Sequence, residues 1–404
     1  MRETLRLKGR MRLATLFAVY IASTIAAIYT PWAIHKIDMT RREMIPVNSE
    51  APLEPAPARR AAPTGQFTSI PLCASRDGIE YFKDYHFDVG SEINDRRTFV
   101  DNVAVRYCSV GGNGTVYLLG SSEGQNWLRA YDSAAQMKWS VATDENRSPL
   151  ALAHDGTVYF ISMPRTGNTT LHAFDSDGRP RWKFETSGFL WDPVPPAIGP
   201  DGTLYVYSGI KDAPAIVAVS RSGEKLWSTP LPAPASEVMV APDGTVVVNV
   251  PAGHVIALNP QGSQIWSYYA SAVRYHGGMV IGSDGTVYFG AGFLYALYQG
   301  VEKWNFKSEL TYTRNDYFDG DPVIAEDGTI YADSYYHQLY AVTPNGRKKW
   351  AVSYQPPSLP GLALSTNGTL RTQHSWFQVS SGLAAHGWPS TNADASNSRS
   401  QEAK

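Results

Sequence analysis

Asp327-Gly328-Thr329-Ile330-Tyr331-Ala332, then Gln338-Leu339-Tyr340-Ala341-Val342, then Gly346-Arg347-Lys348-Lys349-Trp350: the fold is decided by how this stretch is read. Asp-Gly is a strong hairpin signal, because both residues tolerate positive φ. The β-branched and aromatic residues after it suit a paired strand. Residues 321–325 before the turn read as a first short strand and residues 338–342 as a third. A turn at Asn345-Gly346 leads to a fourth strand that closes on Trp350.

The same phrase recurs at Asn113-Gly114-Thr115, Asp155-Gly156-Thr157, Asp201-Gly202-Thr203, Asp243-Gly244-Thr245, Asp284-Gly285-Thr286 and Asn367-Gly368-Thr369. Successive copies stand 42, 46, 42, 41, 43 and 40 residues apart. The closing Gly-x-x-x-Trp returns at Gly178/Trp182, Gly223/Trp227, Gly262/Trp266 and Gly300/Trp304, and Trp139 holds the slot behind Ala135. Four short antiparallel strands per unit, repeated near every forty residues, describe the blades of a β-propeller. Trp139, Trp182, Trp227, Trp266, Trp304 and Trp350 are then structural: one indole per blade, wedged against the next, buries area that a single blade cannot.

A degenerate unit precedes the seven. Asp77-Gly78-Ile79-Glu80-Tyr81-Phe82 follows Pro71–Cys73, and Phe99 lies 22 residues after Asp77, within the 20 to 27 of the clear repeats. Residues 67–103 therefore read as a first blade, which gives eight. Seven blades behind an irregular N-terminal extension is the alternative.

Asp284-Gly285-Thr286-Val287-Tyr288-Phe289-Gly290, with Leu294-Tyr295-Ala296-Leu297 and the closing Gly-x-x-x-Trp, resembles the pyrroloquinoline-quinone-like β-propeller repeat. Ala130-Tyr131-Asp132, Ala173-Phe174-Asp175 and the C-terminal Trp388-Pro389 with Asp394 and Asn397 fit the same family. The resemblance implies a propeller over about residues 67–397. It also implies one of two branches: quinoprotein dehydrogenases, or non-catalytic propellers such as the outer-membrane protein assembly factor. The dehydrogenases carry a vicinal cysteine pair over the quinone. This chain has two cysteines 35 residues apart, so no position is carried over as a quinone or calcium ligand, and no cofactor is expected.

Composition narrows the choice further. The 404 residues are 43% hydrophobic, 12% aromatic and 18% charged, with a net charge of −2, which gives no electrostatic footprint for nucleic acid. Residues 13–34 are 22 residues without a charge, long enough to span a bilayer. Arg2, Arg6, Lys8, Arg10 and Arg12 precede them, which places residues 1–12 in the cytoplasm of a bacterial cell and the rest in the periplasm or outside. A cleaved signal peptide is the competing reading, although its apolar region usually runs only ~7–15 residues. Residues 35–66 follow as a linker, Pro/Ala-rich from residue 44. The propeller domain is expected over 67–390 and a tail over 391–404. Cys73 and Cys108 precede their turns by four and five residues, and in an oxidising compartment they read as one disulfide, with two buried thiols as the alternative.

No zincin, P-loop or paired-cysteine metal pattern occurs, and the Gly-x-Ser-x-Gly at Gly120–Gly124 leads into a strand-to-strand loop rather than a helix, so no catalytic or metal residue is assigned. One connection breaks the period: Trp304 to Asp327 is 23 residues, against 16 to 19 elsewhere. Long loops on a rigid scaffold concentrate function. Tyr312, Arg314, Asp316, Tyr317, Asp319 and Asp321 are thus the candidate partner-binding residues. The expected function is a membrane-anchored periplasmic scaffold or assembly factor for an envelope protein or polymer. A small quinoprotein or sugar-active enzyme and an extracytoplasmic ligand sensor are the alternatives.

Overall fold

Each Asx-Gly-Thr phrase folds the chain back on itself through the same bonds in the protein's structure, a computed structural model. The Asp or Asn Oδ1 accepts the Thr backbone N–H at 2.9–3.1 Å in all seven copies. Only the glycine takes a positive φ, 78–84°. The turn is therefore a right-handed corner followed by one left-handed glycine, rather than a turn with both central residues at positive φ. The carboxylate or amide does the work that a second left-handed residue was expected to do.

The structure describes residues 53–61, 73–74, 80–83, 89–92, 104–134, 136–144, 148–162, 169–186, 194–209, 213–250, 252–270, 277–308, 317–318, 320–335, 338–354, 362–372 and 375–385. Two compact units divide the chain, Met1–Pro46 and Val47–Lys404, and the described residues all belong to the second. The expected membrane span at 13–34 lies outside them. Among the described residues no helix is long and apolar enough to cross a membrane.

The architecture is all-β. β1 (Arg59–Ala61) is followed by a three-stranded sheet of β2 (Cys73–Ala74), β3 (Glu80–Lys83) and β4 (Val89–Glu92). Then come four-stranded meanders. The first holds β5 (Ala104–Val110), β6 (Val116–Ser122), β7 (Gln125–Tyr131) and β8 (Met137–Thr143). The second holds β9 (Ala151–Leu152), β10 (Val158–Ser162), β11 (Thr169–Phe174) and β12 (Pro180–Thr186). The third holds β13 (Ala197–Ile198), β14 (Leu204–Ser208), β15 (Ala215–Val219) and β16 (Lys225–Pro230). The fourth holds β17 (Glu237–Val240), β18 (Val246–Val250), β19 (His254–Leu258) and β20 (Gln264–Tyr269). The fifth holds β21 (Met279–Ile281), β22 (Val287–Ala291), β23 (Phe293–Tyr298) and β24 (Val301–Phe306). The sixth holds β25 (Val323–Ile324), β26 (Ile330–Asp333), β27 (Gln338–Val342) and β28 (Lys348–Ser353). All pairings are antiparallel, as propeller blades require.

The last sheet differs. β29 (Ala363–Leu364), β30 (Thr369–Arg371) and β31 (Ser375–Gln378) are completed by β1, which pairs Arg59 with Phe377, Arg60 with Trp376 and Ala61 with Ser375. Residues 59–61 thus fall inside the stretch 35–66 expected as linker, yet stand in a sheet. The reason is long-range: β31 is the last strand that the C-terminal repeat supplies, and the chain's own N-terminal segment pairs with its outer edge.

Neighbouring sheets are locked at their turn ends. Trp139 lies flat on Gly178 of the next sheet, where an added Cβ would sit 2.7 Å from the indole; φ there is +80°. Trp182 on Gly223, Trp227 on Gly262, Trp266 on Gly300 and Trp304 on Gly346 repeat the contact. The indole N–H of Trp139, Trp182, Trp227 and Trp304 donates to a backbone carbonyl of that same turn at 2.8–2.9 Å. Glycine is needed twice over, for its conformation and for the indole. Between the sheets, Val, Leu and Tyr side chains of the inner strands form the core, with Tyr117, Tyr205, Tyr295 and Tyr331 at or below 1% exposure.

Candidate functional site

Both the Asx-Gly-Thr turns and the Gly-x-x-x-Trp turns lie at one end of each sheet, since Val240, Val246, Leu258 and Gln264 line up across β17–β20. The opposite ends carry the second hairpin of each sheet and the connections between sheets. There, among the described residues, neither turn signature occurs, although one backbone bond recurs (Ser148 to Ile161, Ser236 to Asn249, Gly277 to Gly290), and there the long 304–327 connection lies.

Its C-terminal part is built into the scaffold. Phe318 exchanges backbone bonds with Gly292 (3.1 and 3.3 Å) and bridges Ser334, so it sits between the hairpin ends of two sheets. Its ring, 1% exposed, meets Phe306 and Tyr340 edge-on at 6.0 and 5.4 Å. Gly290 makes room: a Cβ there would stand 2.8 Å from the Phe318 carbonyl oxygen. Tyr317 is 8% exposed and stacks on Tyr335 at 4.7 Å, while Tyr335 is 45% exposed and donates its backbone N–H to the Tyr317 carbonyl. Asp321 Oδ1 accepts the Gly278 N–H at 2.8 Å.

Of the six expected partner-binding residues, Tyr317 and Asp321 are therefore committed inward. Burial takes the Tyr317 ring and a backbone amide takes the Asp321 carboxylate, so they anchor the insertion rather than reach outward. Tyr312, Arg314, Asp316 and Asp319 lie outside the described residues. Among the described residues no cluster of three metal-ligating side chains occurs. Phe318 and Tyr335 were missed by sequence reasoning. Gly290 and Gly292 inside a strand pattern were the available signal, since interior strand glycines mark a close backbone approach.

Around the insertion, polar side chains are buried at the same ends of the sheets. Tyr354 donates to Asp333 Oδ2 at 2.5 Å, and Asp333 is 2% exposed. Glu237 Oε2 accepts the Met279 N–H at 2.9 Å and Asn249 donates to the Gly277 carbonyl at 3.2 Å, which ties two sheets together. His254 lies flat on Tyr269, ring centroids 3.8 Å apart, and burial pushes its pKa down to about 4.

A second polar cluster stands between β8 and its neighbour sheet. His172 Nε2 is 2.6 Å from Ser162 Oγ and 3.9 Å from Asp144 Oδ2, with Lys183 3.6 Å from the same carboxylate. Burial, then the Lys183 charge, lowers the His172 pKa to about 4 against the pull of Asp144. A cavity of about 200 Å³ opens beside it, lined by Ala142, Thr143, Asp144, His172, Phe174 and Lys183. This is not a hydrolytic triad. A triad sets serine and carboxylate on opposite ring nitrogens, whereas both here approach Nε2, and Ser162 is 1% exposed. Its chemistry is to keep a neutral imidazole buried. No local sequence pattern joins positions 144, 162 and 172.

Comparison with known proteins agrees with this architecture. Residues 167–373 match the sequence profile of the family described as outer membrane protein assembly factor BamB. BamB from Moraxella catarrhalis superposes with a TM-score of 0.54 at 12% identity, covering 79% of this chain and 100% of that one. Virginiamycin B lyase from Staphylococcus aureus gives 0.49 at 13% identity over 70% and 94% of the two chains. No curated protein sequence matches.

Proposed function

We propose, starting from a chain that belongs to the family of the outer membrane protein assembly factor BamB, that it is a non-catalytic scaffold which binds another protein of the cell envelope. Its sheets are the blades of an eight-bladed propeller, the three-stranded sheet β2–β4 being the degenerate first. The partner is met at the loop ends of the sheets. The observation that carries this reading is the insertion's footing: Phe318 wedged between two hairpin ends, beside an exposed Tyr335. Tyr312, Arg314, Asp316 and Asp319 then supply aromatic and charged contacts to the partner, which is how a few residues dominate an interface.

Residues 13–34 hold the chain in the bacterial inner membrane with the N-terminus cytoplasmic and the sheets in the periplasm. The spacer that follows ends by residue 53, whose backbone is already bonded to β28. The 18 residues of 35–52 reach at most ~60 Å. The Cys73–Cys108 disulfide joins β2 to β5, two strands that pack together, and Cys108 is 4% exposed. It adds ~3–4 kcal/mol in the chain-entropy model, and two reactive thiols on unreduced protein would contradict it.

The reading is tested by exchanging residues 312–316 for a Gly-Ser segment of equal length, keeping Tyr317 and Phe318. The expected result is an unchanged melting temperature with loss of the envelope protein captured by the native chain. Retention of every captured protein would overturn it.

A further inference from the structure

The last sheet is the one assembled from both ends of the chain, and the way it is closed has a consequence. Every fourth strand from β8 to β28 is tied to its sheet by a short turn. β1 is not: the 11 residues 62–72 join it to β2, in a different sheet. The segment just before it is held at the edge of β28, where Leu53 and Glu54 donate N–H groups to the carbonyls of Lys348 and Lys349 at 3.3 and 2.9 Å. Glu54 also pairs with Lys349 at 3.2 Å, and Lys349 shares that ammonium with Asp327. Residues 53–58 bury little: five are exposed, Pro57 is half-buried, and Leu53 is 46% exposed. Residues 53–58 are thus held by edge hydrogen bonds and one ion pair, whose Glu54 side chain is 48% and Lys349 side chain 13% exposed, and β1 itself adds a ladder of only three residues. Such bonds open locally far more readily than a packed sheet unfolds.

We propose that the edge of β31 is a strand-acceptor site, that its resident strand β1 leaves without unfolding the other sheets, and that the same strand of a second copy of this chain takes its place. The occupant follows from the register. A second copy brings an identical Arg59-Arg60-Ala61 that meets Phe377, Trp376 and Ser375 in the same way, by strand addition to a sheet edge. The competing resident has an effective concentration of order 1 mM from its tether, so exchange is favoured where copies are crowded. The inference rests on the β1–β31 pairing and is independent of the loop-end partner.

The test uses the register. Ala61 and Ser375 are paired across the strands, and paired residues lie at a spacing a disulfide spans. A full-length chain carrying both Ala61→Cys and Ser375→Cys should close the bond within itself, which verifies the slot. Full-length chains carrying Ala61→Cys and Ser375→Cys separately are then mixed under oxidation. The expected result is a disulfide-linked dimer that needs both variants and accumulates with time and concentration, several-fold above either variant alone. Closure in the double variant with only background dimer in the mixture would show a permanent closure and overturn the proposal. Failure of the double variant to close would overturn the slot itself. Hydrogen exchange adds an independent reading: β31 amides should exchange at least tenfold faster than those of β15, and equal protection would contradict release.

Discussion

The turn ends of the sheets and their loop ends are made of the same strands but obey different rules. At the turn ends one solution is copied: an Asx carboxylate or amide on the Thr N–H, a left-handed glycine, an indole on the glycine of the next sheet. At the loop ends, among the described residues, one backbone bond recurs, from Ser148, Ser236 and Gly277 to the carbonyls of Ile161, Asn249 and Gly290, while the side-chain contacts differ from sheet to sheet. Phe318 wedges two hairpins, Glu237 crosses to Met279, His172 meets Ser162, and His254 stacks on Tyr269. Repetition marks the positions that hold the sheets together, and the proposed partner surface lies where the side-chain contacts depart from it. Even the turn ends admit variation where it costs little. Lys138, Arg181, Lys303 and Lys349 each donate to the Thr hydroxyl of their own turn at 2.7–3.3 Å, while Leu226 and Ile265 stand exposed in the same slot.

Three changes separate the two ends, in falling order of effect. Gly178→Ala combines a positive φ with an overlap on Trp139, so a loss of about 3 kcal/mol is expected in denaturant melts, with partner capture by the folded fraction unchanged. Acid acts at the loop ends. His172 and His254 are held neutral with pKa values near 4, below the ordinary 6.5, so the fold binds fewer protons than the unfolded chain between those values. Stability is complete above pH 6.5 and falls as pH drops toward 4, by at most about 3 kcal/mol for each imidazole. His172→Gln should flatten that fall between pH 6.5 and 4.5, and an unchanged slope would remove the assignment. Leu226→Lys restores the commoner residue at a turn end and should shift stability by less than about 0.5 kcal/mol.

The turn ends were legible in the sequence because their bonds are local. Asp327 bonds a residue two positions on, and Gly346 with Trp350 marks a hairpin whatever surrounds it. Strand positions follow from the same punctuation: the pattern of residues 338–342 is that of a strand, and they form β27. The loop ends were not legible, because their contacts join distant residues. Phe318 meets Gly292, and Asp321 meets Gly278 43 positions back. Length alone pointed to the insertion. It could not tell that Tyr317 turns inward while Tyr335 stays out. The pairing of Arg60 with Trp376 is the extreme case, since a three-residue strand in a Pro/Ala-rich stretch carries no pattern that names its distant partner.

The central claim, that the loop ends bind and the turn ends only hold, is tested most directly by placing a photo-crosslinking residue in living cells at Tyr335 and, separately, at Leu226. Both side chains are exposed, 45% and 53%, and an aromatic photo-crosslinker at position 335 keeps a ring on Tyr317, so both chains should fold. The account predicts a discrete envelope-protein adduct from position 335 and none from position 226. An adduct from position 226 with none from position 335 would contradict it.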